Sequence, residues 1–326
     1  MKSALALVAL ATAATALPAE YVEANQGLLW SNFKRDFGKT YAAAEEEGRM
    51  GVFRENMLKA SAMEAASKTG AQFGANKFAD LTADEFKVYH NLRVPVGAET
   101  TEPQFSESER LRAKGASKDW RTVGAVTQIK DQGQCGSCWA FSTVGGAEGA
   151  NFLHGTKTLV SGSEQQLTSC DKNDLGCGGG LMDQAFQWLI DSREGKLATE
   201  KGYPYTSGDG DSGKCKKSKE KGAVAATVKS YNLFTSGEDD LAAALLKSGP
   251  VSIAVDASSF QSYQSGVLDQ CTSDQLDHGV TAVGVTPDYW IIKNSWSTVW
   301  GESGYIRVAR GKGLCLIGTY NVVPSV

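Results

Sequence analysis

The clearest chemical signal in the sequence is a cysteine that stands where a glycine-rich run turns into a helix pattern. Cys138 ends the segment Gln132-Gly-Gln-Cys-Gly-Ser-Cys and opens a predicted helix over 138–152. Free N–H groups and the dipole at the N-terminus of a helix stabilise a thiolate and so lower the pKa of the thiol. We therefore predict that Cys138 is a nucleophile.

A cysteine nucleophile is activated by a neighbouring imidazole, and the chain has three histidines. His90 lies in the N-terminal part and His154 at the end of the helix that Cys138 opens, so we expect both to be structural or exposed. His278 opens a strand-like segment. An imidazole needs a third group to fix its orientation and tautomer, and Asn294, in a turn after the next strand, suits that role.

An alternative interpretation makes Cys135 and Cys138 a redox dithiol or half of a zinc site. A redox Cys-x-x-Cys usually lies near a βαβ pattern, whereas the regular strands here lie far downstream. A zinc site requires a second pair at similar spacing, and Cys170 and Cys177 are too far apart. Both alternatives are therefore disfavoured.

The segment 209–220 resembles a calcium-binding loop. Lys214 replaces the required glycine, and Cys215 occupies a ligand position. We interpret the segment as a turn, and we predict no metal ion and no cofactor.

The first residues, MKSALALVALATAATALPAE, have the pattern of a secretory signal peptide over 1–16, with a cleavage site at Ala14-Thr15-Ala16. The secretory route permits disulfide bonds. The chain has seven cysteines, so at least one thiol has no internal partner. The cysteines are Cys135, Cys138, Cys170, Cys177, Cys215, Cys271 and Cys315.

Charge and hydropathy exclude two classes of partner. The net charge of the 326 residues is -4, which gives no basic footprint for nucleic acid. After the signal peptide no apolar stretch is long enough to span a membrane. We therefore expect neither nucleic-acid nor membrane binding.

The elements that must position the reactive residues fall into three regions. Residues 20–92 are predicted to be helical, with Trp30, Phe33, Phe37 and Tyr41 forming an aromatic stripe on one helix face. The polar segment 93–113 is predicted to be an exposed linker.

Beyond the linker, residues 119–225 favour helices and residues 226–326 favour strands, so we expect a helical half and a β half. A capping box at Ser161-Gly-Ser-Glu is predicted to begin a short helix. The other predicted helices cover 181–192 and 238–248, and the predicted strands cover 251–257, 278–285, 289–296 and 304–310.

Taken together, the Gln-x5-Cys spacing, the sequence CGSCW, a distant histidine and Asn294-Ser-Trp resemble the papain and cathepsin L family of cysteine proteases. The resemblance implies that Cys138 is the nucleophile and that His278 is the base and then the acid. It also implies that Asn294 orients His278 and that Trp296 shields that hydrogen bond. The side-chain amide of Gln132 and the backbone N–H of Cys138 would form the oxyanion hole.

The same resemblance implies a substrate cleft and a specificity pocket. Tyr320 stands at the far end of the pocket, where a neutral bulky side chain predicts a preference for an apolar residue just before the scissile residue. The implied substrate-binding residues are Gly179, Gly180, Leu181, Met182, Ala254, Leu276, Asp277, Trp296 and Tyr320. The family's disulfide pairing would be Cys135–Cys177, Cys170–Cys215 and Cys271–Cys315, which leaves Cys138 free.

The leader resembles the inhibitory propeptide of that family. Its motif residues are Glu45, Arg49, Phe53, Asn56, Gly74, Asn76, Phe78 and Asp80, whereas Ala60 and Glu64 depart from the pattern. The resemblance implies a propeptide over 17–113, with a helical body over about 26–90 and the linker over 93–113. The mature enzyme would begin near Lys114. Asp80 and the Glu45–Arg49 pair are expected to respond to acid.

The expected fold is therefore α+β, a papain-like peptidase domain over 114–326 with a helical left domain and a β-barrel-like right domain behind a helical propeptide. The expected function is a self-inhibited cysteine endopeptidase, activated by acid, in a lysosome-like or vacuole-like compartment or outside the cell. Expected partners are polypeptide substrates, the chain's own propeptide as an intramolecular inhibitor and cystatin-like inhibitors, with a monomeric enzyme. A catalytically dead binding protein, an inhibitor built from the leader alone and a transglutaminase-like acyl transferase are the rival classes, and the intact catalytic positions, the complete domain and the leader disfavour them.

Overall fold

The computed structural model describes residues 17–92, 94, 100, 105–272 and 275–326. The predicted signal peptide lies outside the described residues, as does most of the first part of the predicted linker. No helix in the described part of the chain has both the length and the hydropathy needed to cross a membrane.

Ten helices are described over these ranges. They are α1 (Ala19–Ala24), α2 (Gln26–Phe37), α3 (Ala43–Ala66), α4 (Ala83–Phe86), α5 (Glu107–Lys114), α6 (Cys138–His154), α7 (Glu164–Cys170), α8 (Met182–Arg193), α9 (Lys217–Glu220) and α10 (Glu238–Ser248).

Twelve strands are described in the same ranges. They are β1 (Gln72–Phe73), β2 (Lys118–Asp119), β3 (Lys196–Ala198), β4 (Val224–Thr227), β5 (Ser230–Phe234), β6 (Val251–Val255), β7 (Tyr263–Ser265), β8 (Val267–Leu268), β9 (His278–Val285), β10 (Tyr289–Lys293), β11 (Tyr305–Ala309) and β12 (Asn321–Ser325).

The N-terminal body packs α2 against α3 through an aromatic cluster. Trp30 and Phe33 of α2 are buried with Phe53 of α3, and the Trp30 and Tyr41 rings stack with their centroids 5.1 Å apart. The prediction that Tyr41 lies on the same helix is wrong, because α2 ends at Phe37 and Gly38 takes the left-handed conformation, with a φ of 61°. Tyr41 reaches the cluster from the following loop.

The helical body is also interrupted, which the sequence prediction of helix over 20–92 missed. Between α3 and α4 the chain is extended or turned, and β1 pairs antiparallel with β7 of the C-terminal region. The interruption is explained by tertiary pairing, since Gln72 lies opposite Ser265 and Phe73 opposite Tyr263.

The C-terminal region has the predicted helical and β halves. The main sheet runs in the order β5-β12-β6-β9-β10-β11-β8, with β2 also paired to β9. Every residue of β6 and of β9 is buried, and small or apolar residues predominate in both strands. Helix α7 is capped by Ser163, whose side chain accepts from the N–H of Gln166, so the predicted cap at Ser161 is wrong by two positions.

A buried charge cluster joins the two halves behind α6. The Lys130 ammonium lies 2.6 Å from a Glu164 carboxylate oxygen and 3.4 Å from one of Glu148, and it donates to the carbonyl of Gly162. The cluster borders a cavity of about 20 Å³ that Lys293 and Asn294 of the β half also line. The cluster reaches the sheet through Thr127, whose hydroxyl donates to Glu148 at 2.6 Å and accepts from Lys293 Nζ at 2.8 Å.

The predicted linker is not wholly a linker, because it contains α5. Ser106 and Glu109 form a capping box that begins this helix, and Ala113 is fully buried in the main core of the C-terminal region. The polar composition concealed the helix, since its only apolar residues are Leu111, which is exposed, and Ala113.

Candidate active site

Cys138 is the first residue of α6, as the sequence predicted. Its side chain is completely buried, and it is the one cysteine outside the three disulfide bonds. The backbone N–H groups of Gly279, Trp139 and Asn91 point to its sulfur. Two of these donors come from the C-terminal region, while Asn91 comes from the leader.

His278 and Asn294 come from neighbouring strands of the sheet. His278 opens β9 and Asn294 follows β10, which pairs antiparallel with β9. His278 Nε2 lies 2.8 Å from Asn294 Oδ1. With Nε2 held in this way, Nδ1 is the nitrogen left for proton transfer, and it has no hydrogen-bond partner among the described residues.

The start of β9 lies directly against the start of α6. A Cβ added to Gly279 would lie 3.2 Å from the carbonyl oxygen of Cys138 and equally close to the backbone of Trp139. The absence of a side chain at Gly279 therefore allows His278 to approach the helix N-terminus that carries the thiol.

Trp296 covers the histidine. Its ring stacks on His278 with centroids 4.7 Å apart and an interplanar angle of 24°, and it is completely buried. The His278–Asn294 hydrogen bond is therefore kept in a site of low dielectric constant, where it is stronger than in water.

Gln132 is buried with its side chain fixed at both ends. Its Oε1 accepts from the Ser295 hydroxyl at 2.6 Å, and its Nε2 donates to the carbonyls of Cys135 at 2.8 Å and Tyr89 at 3.1 Å. The sequence analysis assigned no role to Ser295. Its position directly after Asn294 could have indicated one.

Both reactive groups are held neutral in this structure. Burial raises the pKa of the Cys138 thiol to about 11, an effect that the three backbone donors only partly offset. Burial lowers the pKa of His278 to about 4, against the opposing effect of the Asn294 hydrogen bond. At neutral pH the site therefore holds a thiol and an imidazole, not a thiolate and an imidazolium.

The groups are buried because residues 89–92 of the leader fill the cleft. The Tyr89 carbonyl accepts from Gln132 Nε2 and, at 3.3 Å, from Trp296 Nε1. The Asn91 side chain donates to the carbonyl of Gly178 at 3.0 Å. The N–H of Leu92 donates to the carbonyl of Asp277 at 2.8 Å.

Gly179 of the predicted cleft wall makes room for this segment. Gly179 has a φ of 110°, and a Cβ there would collide with the carbonyl oxygen of Asn91. A Cβ on Gly180 would lie 2.6 Å from Asp174 Oδ1, which itself accepts from the N–H of Leu181. Gly179 is thus the position at which another backbone approaches the cleft.

Leu92 is buried in the same apolar cluster as most of the predicted specificity residues. It belongs to one cluster with Leu181, Met182, Ala254 and Tyr320, and Leu276 packs against that cluster. The Tyr320 hydroxyl donates to Asp183 Oδ1 at 2.6 Å. Asp183 was not identified from the sequence.

His90 is buried against Asp277, with Nδ1 lying 2.9 Å from Asp277 Oδ2. The sequence analysis treated His90 as structural or exposed, and the structure makes it part of the segment that fills the cleft. No sequence signal marked residues 89–92, because the leader motif ends before them.

The leader motif residues hold this segment in place. Phe78 and Phe86 each contact the Trp296 ring edge-on with centroids 5.3 Å apart, and Lys77 pairs with Asp131 at 2.8 Å. Asn76 donates to the carbonyl of Gln261. The leader therefore docks on the aromatic residue that covers His278.

Two further motif pairs stabilise the leader itself. Asp80 accepts from Lys39 and Tyr41, both at 2.8 Å, and Arg49 joins Glu45 and Glu85. The remaining motif residues make backbone and core contacts: Asn56 donates to the carbonyls of Ala79 and Leu81, the N–H of Gly74 donates to the carbonyl of Ser262, and Phe53 is buried.

The two departures from the leader pattern are accommodated. Ala60 is buried in the main core, and the Glu64 carboxylate accepts from the N–H of Phe73 at 3.0 Å. The structure also has the three predicted disulfide bonds, Cys135–Cys177, Cys170–Cys215 and Cys271–Cys315.

Comparisons with known proteins agree with this architecture. Residues 115–325 match the model of the papain family cysteine proteases, and residues 30–86 match the cathepsin propeptide inhibitor domain. A cysteine proteinase of Trypanosoma brucei brucei is 44% identical over 319 residues, covering 96% of this chain and 70% of that protein. Cysteine proteinase 2 of Leishmania pifanoi is 45% identical over 334 residues, covering 99% and 75%.

Solved precursors have the same fold. The recombinant stem bromelain precursor has a TM-score of 0.81 at 32% identity, covering 92% of this chain and 99% of that chain. Digestive procathepsin L 3 of Tenebrio molitor has a TM-score of 0.74 at 34% identity, with the same coverage. The chain belongs to the papain family of cysteine proteases, and it carries the family's inhibitory propeptide ahead of its peptidase domain.

Proposed function

We propose that the protein is a cysteine endopeptidase made as a self-inhibited precursor, in which Cys138 and His278 cleave peptide bonds once residues 89–92 have left the cleft. The observation that carries the proposal is the position of Tyr89, whose carbonyl accepts from Gln132 Nε2, the donor expected to stabilise an oxyanion. The leader thus occupies the site of the reacting carbonyl, and a substrate has to displace it.

In the proposed reaction the Cys138 proton passes to His278, and the sulfur attacks the carbonyl carbon of the scissile bond. The negative charge on the carbonyl oxygen is stabilised by Gln132 Nε2 and the backbone N–H of Cys138. His278 then donates its proton to the leaving amine. The thioester that remains is hydrolysed by a water molecule from which His278 takes a proton. Asn294 keeps the imidazole in the required tautomer throughout.

Release of the leader is proposed to require acid. The Arg49 side chain lowers the pKa of Glu85 below its ordinary value of 4.5. Because the ionised form of Glu85 is favoured in the folded leader, it contributes to the stability of the leader above about pH 4.5. That contribution to stability is lost as the pH falls from 4.5 through the lowered pKa. Acid therefore weakens the contacts that keep α4, and with it the segment that follows, on Trp296.

The substrate preference is proposed from the pocket that Leu92 occupies. We place Tyr320 at the far end of this pocket, because its ring belongs to the same apolar cluster as Leu92 and its hydroxyl donates to Asp183. A leucine of the leader is itself the occupant, which supports a preference for Leu, Val or Phe just before the scissile residue.

The setting and partners complete the proposal. The relatives and the propeptide support a protein of the secretory pathway, and we propose that it works as a monomer in an acidic lysosome-like or vacuole-like compartment or outside the cell. Cystatin-like proteins are proposed as its macromolecular inhibitors.

An acid-activation assay tests the catalytic proposal. The purified precursor and its Cys138→Ala variant are held at about pH 4.5 with a thiol, and mass and cleavage of a peptide with Leu before the scissile residue are recorded. We expect the wild type alone to shorten and gain activity. Shortening of both proteins with no peptide cleavage by either would contradict it, because another protease would then be responsible.

A further inference from the structure

The short helix α5, at the junction between leader and peptidase domain, is attached to α10 by ion pairs. We propose that α5 stays docked on α10 after the body of the leader has left, so that maturation passes through an active form that retains residues 106–114. In that form the Ala113–Lys114 bond is protected from cleavage. The inference rests on the proposed function only for the removal of the leader body.

The first argument is conformational. A papain-type cleft binds its substrate as an extended strand, whereas the bond between Ala113 and Lys114 lies in the last turn of a helix. The helix has its own start signal, because Ser106 Oγ accepts from the N–H of Glu109 and Glu109 Oε2 accepts from the N–H of Ser106 at 2.7 Å. The scissile bond becomes available only when this turn unwinds.

The second argument is electrostatic. The Arg110 guanidinium pairs with Asp240 of α10, whose side chain is only 3% exposed. Lys114 lies 3.2 Å from Asp239, and Lys247 lies 3.3 Å from Glu109. Each of these charged side chains at the α5–α10 contact therefore pairs with a side chain of opposite charge on the other helix.

The third argument is the burial of the junction itself. Ala113 is fully buried, and Arg310, with 4% of its side chain exposed, donates through Nη1 to the carbonyls of Ala113 at 3.1 Å and Lys114 at 3.4 Å. The same nitrogen donates to the carbonyl of Thr286 at 3.0 Å. A second protease molecule therefore cannot reach this bond without displacing a buried arginine.

The fourth argument is independence from the cleft. The groups that hold α5 are Asp239, Asp240, Lys247 and Arg310, and in the described part of the chain none of them forms a hydrogen bond or ion pair with residues 89–92 or with the body of the leader. Release of the leader body leaves every one of these contacts in place.

The test separates helix docking from catalysis. Precursor carrying Cys138→Ala, which cannot process itself, is digested by a trace of activated wild-type enzyme, and the masses of the products are followed in time. If the wild-type enzyme proves inactive, a papain-type endopeptidase from another source is used, so failure of the proposed function does not affect this experiment. We expect a product that retains residues 106–114 to form first and to persist.

A matched pair of arginine variants in the same background tests the cause. Arg110→Ala removes the partner of Asp240, so we expect the lifetime of the longer product to fall by about fivefold or more. Arg112→Ala removes another arginine side chain of α5, one that has no partner in the described part of the chain. We expect it to change the lifetime of the longer product by less than about twofold. Equal effects of the two substitutions would overturn the proposal.

A second measurement uses the unsubstituted helix α5, so its result does not depend on correct folding of the arginine variants. Amide hydrogen exchange over 107–114 is measured before and after the first cut. Protection that persists after the cut supports retained docking. Exchange at the rate of an unstructured peptide, or direct appearance of a chain beginning near Lys114 with no longer product, would overturn it.

Discussion

Removal of the leader should lower the pKa of the Cys138 thiol. In the precursor, burial raises the pKa of the thiol to about 11 from an ordinary value of 9.0. Such a shift makes the thiolate about a hundredfold scarcer at pH 7 and corresponds to about 2.7 kcal/mol. His278, with a pKa of about 4, offers no positive charge to compensate. Between these two values both groups stay neutral.

Once residues 89–92 leave, water reaches the sulfur, and the helix N-terminus and a protonated His278 both stabilise the thiolate. We therefore expect iodoacetamide to alkylate Cys138 at pH 7 at least about a hundredfold faster in the processed enzyme than in the precursor. The assay is a short reaction at several pH values, with the modified cysteine quantified by mass spectrometry. Cys138→Ser gives the background, since the other six cysteines are in disulfide bonds.

The pH dependence distinguishes ionisation from simple obstruction. If burial controls the pKa, the rate for the precursor rises tenfold for each pH unit up to high pH, whereas the rate for the processed enzyme is already level near neutrality. Equal rates at pH 7, or a precursor whose profile levels off below about pH 8, would refute the reasoning.

Three further predictions follow from contacts described above. Gln132→Ala should lower kcat by about 10²–10³ with little change in KM, because it removes one donor to the oxyanion; steady-state kinetics of the processed enzyme checks this, and an unchanged kcat would contradict it. Tyr320→Glu should raise the cleavage of a peptide with Arg before the scissile residue relative to one with Leu by about tenfold or more, measured as the ratio of kcat/KM values, because it places a carboxylate at the end of the pocket; an unchanged ratio would exclude Tyr320 from that position. Lys130→Met should destabilise the protein by about 3–5 kcal/mol, because the buried carboxylates of Glu148 and Glu164 lose the ammonium group that pairs with them; calorimetry should show a Tm lower by about 10 °C, and a change within 2 °C would show that the cluster is not tightly coupled.

Much of the site follows from local chemistry in the sequence. A cysteine between a glycine-rich run and a helix pattern predicted a thiol at a helix N-terminus, and Cys138 is the first residue of α6. Strands β6 and β9 were predicted over 251–257 and 278–285 from their composition and the turn residues around them, and both strands lie within those ranges. These features depend on neighbours in the sequence.

The features that were missed depend on distant partners. Residues 89–92 have no periodicity of their own, and their position is set by donors on Gln132, Trp296 and the glycine loop. Helix α5 is polar in composition, and its one buried residue, Ala113, is small. Its docking needs Asp240 and Arg310, which lie far along the chain. No local pattern encodes such pairings.

The short ladder between β1 and β7 has a consequence for the enzyme after activation. In the precursor, β7 has β1 of the leader as its partner in a two-stranded sheet. When the leader departs, the main-chain donors and acceptors of Tyr263–Ser265 become an open strand edge on the surface of the peptidase domain. An open edge can pair with any extended segment that reaches it. The strand that binds the leader in the precursor therefore becomes, in the active enzyme, an edge to which a strand of another chain can pair.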